Sequence, residues 1–276
     1  MPILTKKGKR YYFAHVPKTA GTSLYVWFYR NGYEIENLSM HKGFGTYNSF
    51  NNEFMVEQFK IKGKLANYRG SIQHATFDVW KNWGPFDGSF AIIRNPYSRY
   101  KSEIKFLFKS YCAGIAEKQT ASELACFRSA LYKKIKKDFN NDRSIFDNHI
   151  RPQKEFLDED TRIFSFESNW ADELAQYLDL TGEPPKENVS SKTVIDLTSD
   201  ETSLIDELYQ ADFACFEYKK EEHVKSINSE TYELAQYAKQ ANLRWSTVFV
   251  LIVEEFRKSY WNIMKRLAKE KANKYF

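Results

Sequence analysis

The chain has 276 residues, of which 42% are hydrophobic and 17% aromatic, and a formal net charge of +5. That apolar share supports a substantial core in one large α/β domain or a domain with an appendage, and the modest charge suits an anionic ligand without by itself indicating nucleic acid. Three widely spaced cysteines, Cys112, Cys126 and Cys215, form no C-x-x-C pair, which argues against a disulfide framework or a zinc site and agrees with a reducing compartment.

In chain order, the N-terminal MPILTKKGKRYYFAHV carries no apolar stretch of signal-peptide length. RYYFAHV (10–16) reads as a strand, rich in aromatic and β-branched residues. A small polar loop follows at 17–23, and TSLYVWFYRNG (22–32) then reads as a helix stopped by Gly32. GSIQHA (70–75) is a short strand candidate, and GSFAIIR (88–94) a third and more apolar one. Asn95-Pro96 then opens a helix over YSRYKSEIKFLFKSY. TRIFSFE (161–167) reads as a strand, followed by a helix over SNWADELAQYLDL that closes at Gly182. From about residue 220 the chain turns to polar helix with a basic tail, and its longest apolar run, VFVLIV (248–253), is far short of a membrane span.

Strands alternating with helices predict an α/β fold built on a mostly parallel sheet covered on both faces. The expected organisation is an α/β domain over residues 1–222 and a helical, basic extension over 223–276 packed on it. The tail's plain reading is a solvated helix face; its functional alternative is a dock for a polyanionic acceptor or a membrane surface. In such sheets ligands bind beyond the carboxyl ends of the strands, where the loops at 17–23 and 94–97 both fall.

The first of these loops, PKTAGTS, places Lys18, Thr19, Ala20, Gly21, Thr22 and Ser23 between a strand and a helix. A helix N-terminus aims backbone N–H groups and a positive dipole at one spot, so an anion there is stabilised. Gly21 permits close backbone approach, the three hydroxyls add donors, and Lys18 can neutralise charge growing on a leaving group. The plain structural alternative is a polar connection with Thr22 or Ser23 as a cap. The pattern is not the nucleotide P-loop G-x-x-x-x-G-K-[ST], because Lys18 precedes Gly21.

FAHVPKTAGTSL resembles the 5′-phosphosulfate loop of sulfotransferases that use 3′-phosphoadenosine 5′-phosphosulfate (PAPS), most closely the carbohydrate sulfotransferases. IIRNPYSRYKS is similar to the family's second motif, with Arg94 at a strand end and Ser102 eight positions on, and the resemblance implies that this pair holds the donor's 3′-phosphate. Weaker likenesses run through NHIRPQ (148–153), FSFESNWADELAQYL, NVSSK (188–192) and LYQADFACFEY (208–218), covering roughly 10–218 in all. They imply donor contacts from Ser191 and Lys192, and a P-loop-NTPase-like parallel sheet flanked by helices. The absence of an anchor, the short chain and the few cysteines favour a soluble, bacterial-like, cytoplasmic version of a family whose animal members are Golgi membrane proteins.

Sulfuryl transfer needs a base for the acceptor hydroxyl, and histidine suits that task. His15, in the first strand, reads as packing; His41 and His223 have no supporting pattern. His74 stands 20 residues before Arg94, nearly the separation of the proposed base in the heparan 2-O-sulfotransferase branch, and is the first choice. His149 is the runner-up, or positions the acceptor together with Arg151. A carboxylate base is the further alternative, although no pattern selects Glu36 or Asp78.

The expected function is thus sulfuryl transfer from PAPS to a hydroxyl of a carbohydrate or glycoconjugate, polyanionic acceptors included, with no metal and no nucleic acid. Two other readings stand beside it. One is a non-catalytic nucleotide or polyanion binder, to which the basic tail gives weight. The other is a kinase-like P-loop phosphotransferase, disfavoured by the position of Lys18 and the lack of a Mg²⁺-binding acidic motif.

Overall fold

A computed structural model describes residues 3–36, 72–81, 84–112, 121–185 and 194–221. Ser191, Lys192, His41, His223 and the predicted extension at 223–276 lie outside the described residues.

Five strands form one mixed sheet in the order β3-β1-β2-β4-β5. β1 (Ile3–Lys6) and β2 (Lys9–Phe13) make a hairpin, with Lys7 and Gly8 both at positive φ, the two-residue turn whose twist matches paired strands. β3 (Glu34–Glu36) adds antiparallel to β1. On the other side, β2, β4 (Gly88–Ile93) and β5 (Arg162–Ser165) run parallel. The expectation of a mostly parallel sheet therefore holds for the β2-β4-β5 side, and the correction is β1, the one reversed strand, which makes both of its pairings antiparallel. The reason is the short Lys7-Gly8 connection, because parallel neighbours need a crossover of a dozen or more residues.

The sheet's two faces follow the period-2 alternation of side chains. Phe13, Phe90, Ile92 and Phe164 point to one face, where α1 (Gly21–Arg30) contributes Leu24, Tyr25, Trp27 and Phe28, and α5 (Trp170–Leu178) contributes Leu174 and Leu178. Tyr12, Ala91 and Ile93 point to the other, against Trp80 of the short helix α2 (Phe77–Trp80) and Phe156 and Leu157 of the turn Gln153–Phe156 and its exit. A third apolar cluster joins α3 (Pro96–Cys112), α4 (Ala121–Asp138), α6 (Ser199–Leu208) and α7 (Gln210–Cys215). In α4, Phe127, Leu131 and Ile135 recur every four residues and line that cluster.

Three predicted elements change. GSIQHA is not a strand: Ile72–His74 is a single 3₁₀ turn, and the His74 carbonyl accepts from Asn148 Nδ2 at 2.8 Å instead of pairing with the sheet. The first strand stops at Phe13, leaving His15 in the loop. α5 ends at Leu178, where Asp179 (φ 51) supplies the left-handed cap, short of Gly182. Among the described residues, no helix is long and apolar enough to cross a membrane.

Candidate functional site

β2 and β4 are hydrogen-bonded parallel neighbours, with Phe13 opposite Phe90, so the two loops that follow them emerge side by side. In the first loop Lys18 and Ala20 both take left-handed backbone (φ 69), the kind of turn that helps form an anion-binding concavity of N–H groups. Ala20 is the N-cap of α1 and provides no side-chain cap, so the first-turn amides of α1 are not satisfied in that way. The N-terminus of α3 contrasts with it: Asn95 Oδ1 accepts from the amides of Tyr97 (3.0 Å) and Ser98 (3.2 Å).

Not every predicted donor in the loop is available. The Thr19 hydroxyl donates to the Val16 carbonyl at 2.8 Å, and it has one proton to give, so Thr19 staples the loop. Thr22 and Ser23 lie in the first turn of α1, half-buried and buried. Gly21 is required by a protein neighbour: a Cβ there would lie 2.0 Å from His15 Nε2, far inside contact distance. That ring is held by the Tyr25 hydroxyl at Nδ1 (2.6 Å), stacks on Phe13 and lies 4.9 Å from the ring of His74.

Two arginines of the second motif grip the first. Arg94 Nη1 donates to the Lys18 carbonyl at 3.3 Å, and buried Arg99 donates through Nε to the Pro17 carbonyl at 3.1 Å and through Nη2 to that of His149 at 2.7 Å. The carbonyls of Pro17, Lys18 and His149 are thereby all taken up by guanidinium donors. The Arg94 guanidinium lies over Phe166 at 4.5 Å, and its Nε is buried with no hydrogen-bond partner among the described residues. Its backbone is bracketed by one buried amide: Gln153 Oε1 accepts from Arg94 N–H (2.9 Å) and Gln153 Nε2 donates to Arg94 C=O (2.8 Å). Asp212 holds that bracket by accepting from the Gln153 and Lys154 amides, both at 2.9 Å. Ser102 is half-buried, eight residues on in α3.

Lys18 Nζ sits 4.1 Å over the ring of Phe106, and Phe106 in turn stacks on His149 at 5.0 Å. Burial moves the Lys18 ammonium below the ordinary lysine range, against the pull of Glu103 and with a further push from Arg94. His149 faces His74 edge-on, ring centres 4.6 Å apart. Each imidazole has its own carboxylate. His74 Nδ1 pairs with Asp147 Oδ2 at 2.9 Å, and His149 Nδ1 reaches both Glu103 oxygens at 3.0 and 2.9 Å. Burial pushes the Glu103 carboxyl up, but His149, Lys18 and Arg99 together hold it below the usual range. Burial also lowers His74 to about 4 despite Asp147, so its ring is neutral at neutral pH.

The structure thus gathers Lys18, Arg94, His74 and His149. Arg151 is engaged with Glu155 Oε2 (3.4 Å) and the Arg143 carbonyl (3.4 Å), bracing the turn on which it lies. Asp147, Glu103, Arg99, Phe106 and Gln153 were not singled out by sequence. A signal existed in α3, where Arg99, Glu103 and Phe106 share one helical face, and charged residues on a core-facing stripe mark a buried polar network. His74, Asp147 and His149 each offer one ligand-type atom within 4.8 Å of the others, a grouping of the kind that could hold a metal ion.

Comparison of the chain with models of known protein families, with curated proteins and with solved structures finds no match.

Proposed function

We propose that the chain is a cytoplasmic sulfotransferase that moves the sulfuryl group of PAPS to a hydroxyl of a carbohydrate acceptor. The observation that carries this reading is the juxtaposition of two motif turns on neighbouring parallel strands, with Arg94 on the Lys18 carbonyl and Lys18 connected through Phe106 to His149 and His74.

In this reading the strand-loop-helix at Lys18–Ser23 is a P-loop-like cradle, and the amides opening α1 and Lys18 receive the 5′-phosphosulfate. Arg94 and Ser102 receive the 3′-phosphate, and Ser191 and Lys192, carried over on resemblance alone, close on the nucleotide. His74 takes the acceptor's proton at Nε2 as the new O–S bond forms and the bridging S–O bond breaks in line. The charge left on 3′-phosphoadenosine 5′-phosphate is met by Lys18. His149, with Arg151 bracing its turn, borders the acceptor. No divalent cation enters the scheme; the carbohydrate class of the acceptor rests on the family resemblance.

Binding of 3′-phosphoadenosine 5′-phosphate, AMP and ATP is measured first, followed by transfer of labelled sulfate from PAPS to a panel of sugars with and without chelator. The 3′-phosphorylated nucleotide should bind at least tenfold tighter than AMP, and transfer should survive chelation. Equal affinity for the two, or transfer lost in chelator and restored by Mg²⁺, overturns the proposal and returns the kinase-like reading.

A further inference from the structure

Phe146, Asp147 and Asn148 follow one another with φ of 52, 61 and 64. Asp and Asn tolerate left-handed backbone as single residues, but an aromatic residue in a run of three resists it. Such strain persists only where surrounding structure holds it. Here Phe146 is buried in the helical cluster and Asn148 is fully buried. The turn makes two contacts with one target: Asn148 Nδ2 donates to the His74 carbonyl at 2.8 Å, and Asp147 Oδ2 meets His74 Nδ1 at 2.9 Å. Backbone and ring of His74 are therefore gripped from the same three residues.

A carboxylate only accepts, so the hydrogen bond requires the His74 proton on Nδ1 and leaves the lone pair on Nε2. We propose that Asp147 is the positioning residue of the site, fixing the tautomer and plane of the His74 ring so that Nε2 is the nitrogen offered to a substrate hydroxyl. It never touches substrate; it acts through His74. The inference rests on the transferase reading for what Nε2 does, but not for the state of the ring.

The test combines nitrogen NMR of histidine-labelled protein with steady-state transfer, in wild type, Asp147→Asn, Asp147→Ala and Asp147→Glu; His74→Ala identifies the resonances. Wild-type His74 should show a protonated Nδ1 and an unprotonated Nε2. Asp147→Ala and Asp147→Asn should disturb that pattern and lower kcat by about 10²-fold or more, as loss of an orienting carboxylate does elsewhere. Affinity for 3′-phosphoadenosine 5′-phosphate should stay within a few-fold, and Asp147→Glu should recover part of kcat. A wild-type ring protonated at Nε2, or Asp147→Ala turning over like wild type, overturns the proposal. If wild type transfers sulfate to no acceptor while the ring pattern still depends on Asp147, the transferase reading falls and the positioning stands.

Discussion

At Gly21 the missing side chain makes room for a ring of the same protein. Because a Cβ would overlap His15 Nε2 at 2.0 Å, Gly21→Ala must displace an imidazole that Tyr25 and Phe13 already hold. The cost should be about 1–3 kcal/mol, the usual range for overpacking. In a double-mutant cycle the His15→Ala change should absorb part of that loss, since the clash and its target disappear together. Additive urea-unfolding energies would disprove the coupling. Lys18 makes the second case at this scale. Its assigned partner, the leaving group, gains charge mainly in the transition state, so Lys18→Ala should depress kcat more than it weakens nucleotide binding. Equal losses in the two would mean that Lys18 binds the ground state as well. The lysine and the glycine were both legible in sequence, but the reason for the glycine was not, because a contact between residues 15 and 21 depends on how the loop turns back.

The turn between β4 and α3 shows what an element contributes beyond its motif residue. Gln153 satisfies the amide and the carbonyl of Arg94 at once, and Asp212 fixes Gln153 in place. Arg94→Ala should therefore remove a charged contact from the nucleotide, at least a tenfold loss of affinity by the 1.5–3 kcal/mol scale of charge-assisted bonds, with little change in melting temperature. Gln153→Ala should do the reverse, leaving two backbone groups unpaired at about 1–3 kcal/mol of stability and weakening nucleotide only through a looser Arg94. Calorimetric melting and nucleotide titration of the two variants separate the roles; matching profiles would refute the division. Sequence reading found the strands made of aromatic and β-branched runs, β2, β4 and β5, and the helices next to them. It overlooked β1, whose only turn signal is Gly8, and α4, whose apolar stripe is diluted by four lysines and other polar residues in ASELACFRSALYKKIKKD and is revealed only by what it packs on. The His74 segment misled because its carbonyl is claimed by Asn148, 74 residues away, which no local pattern records.

For the molecule as a whole, buried His74 couples folding to acidity. His74 sits between Asp147, the edge of His149 and the ring of His15, and burial brings it from 6.5 to about 4. Between those values the unfolded chain binds a proton that the native ring refuses, so stability is greatest above pH 6.5 and falls as pH drops toward 4. The full effect is on the order of 3 kcal/mol. Glu103 works in a lower window: its folded value lies below 4.5, so its contribution is present above that pH and is lost as pH falls through the folded value. Urea melts of wild type and His74→Gln from pH 7 to 4 check the assignment. The wild-type curve should be the steeper, and parallel curves would remove His74 as the source.

The left-handed turn Phe146–Asn148 has a further consequence, for anyone selecting this protein for heat tolerance. A glycine in that backbone region relieves the left-handed cost, about 1–2 kcal/mol for an ordinary residue and less for Asp or Asn. At buried Phe146 it would empty the core, and at Asn148 it would abandon the His74 carbonyl, whereas at Asp147 it would remove the carboxylate from the imidazole and leave the core packing and that carbonyl in place. A screen on melting temperature would therefore enrich Asp147→Gly, and a screen on turnover would reject it. The same codon carries opposite selective value under the two regimes, which makes it the place where durability and activity trade against each other.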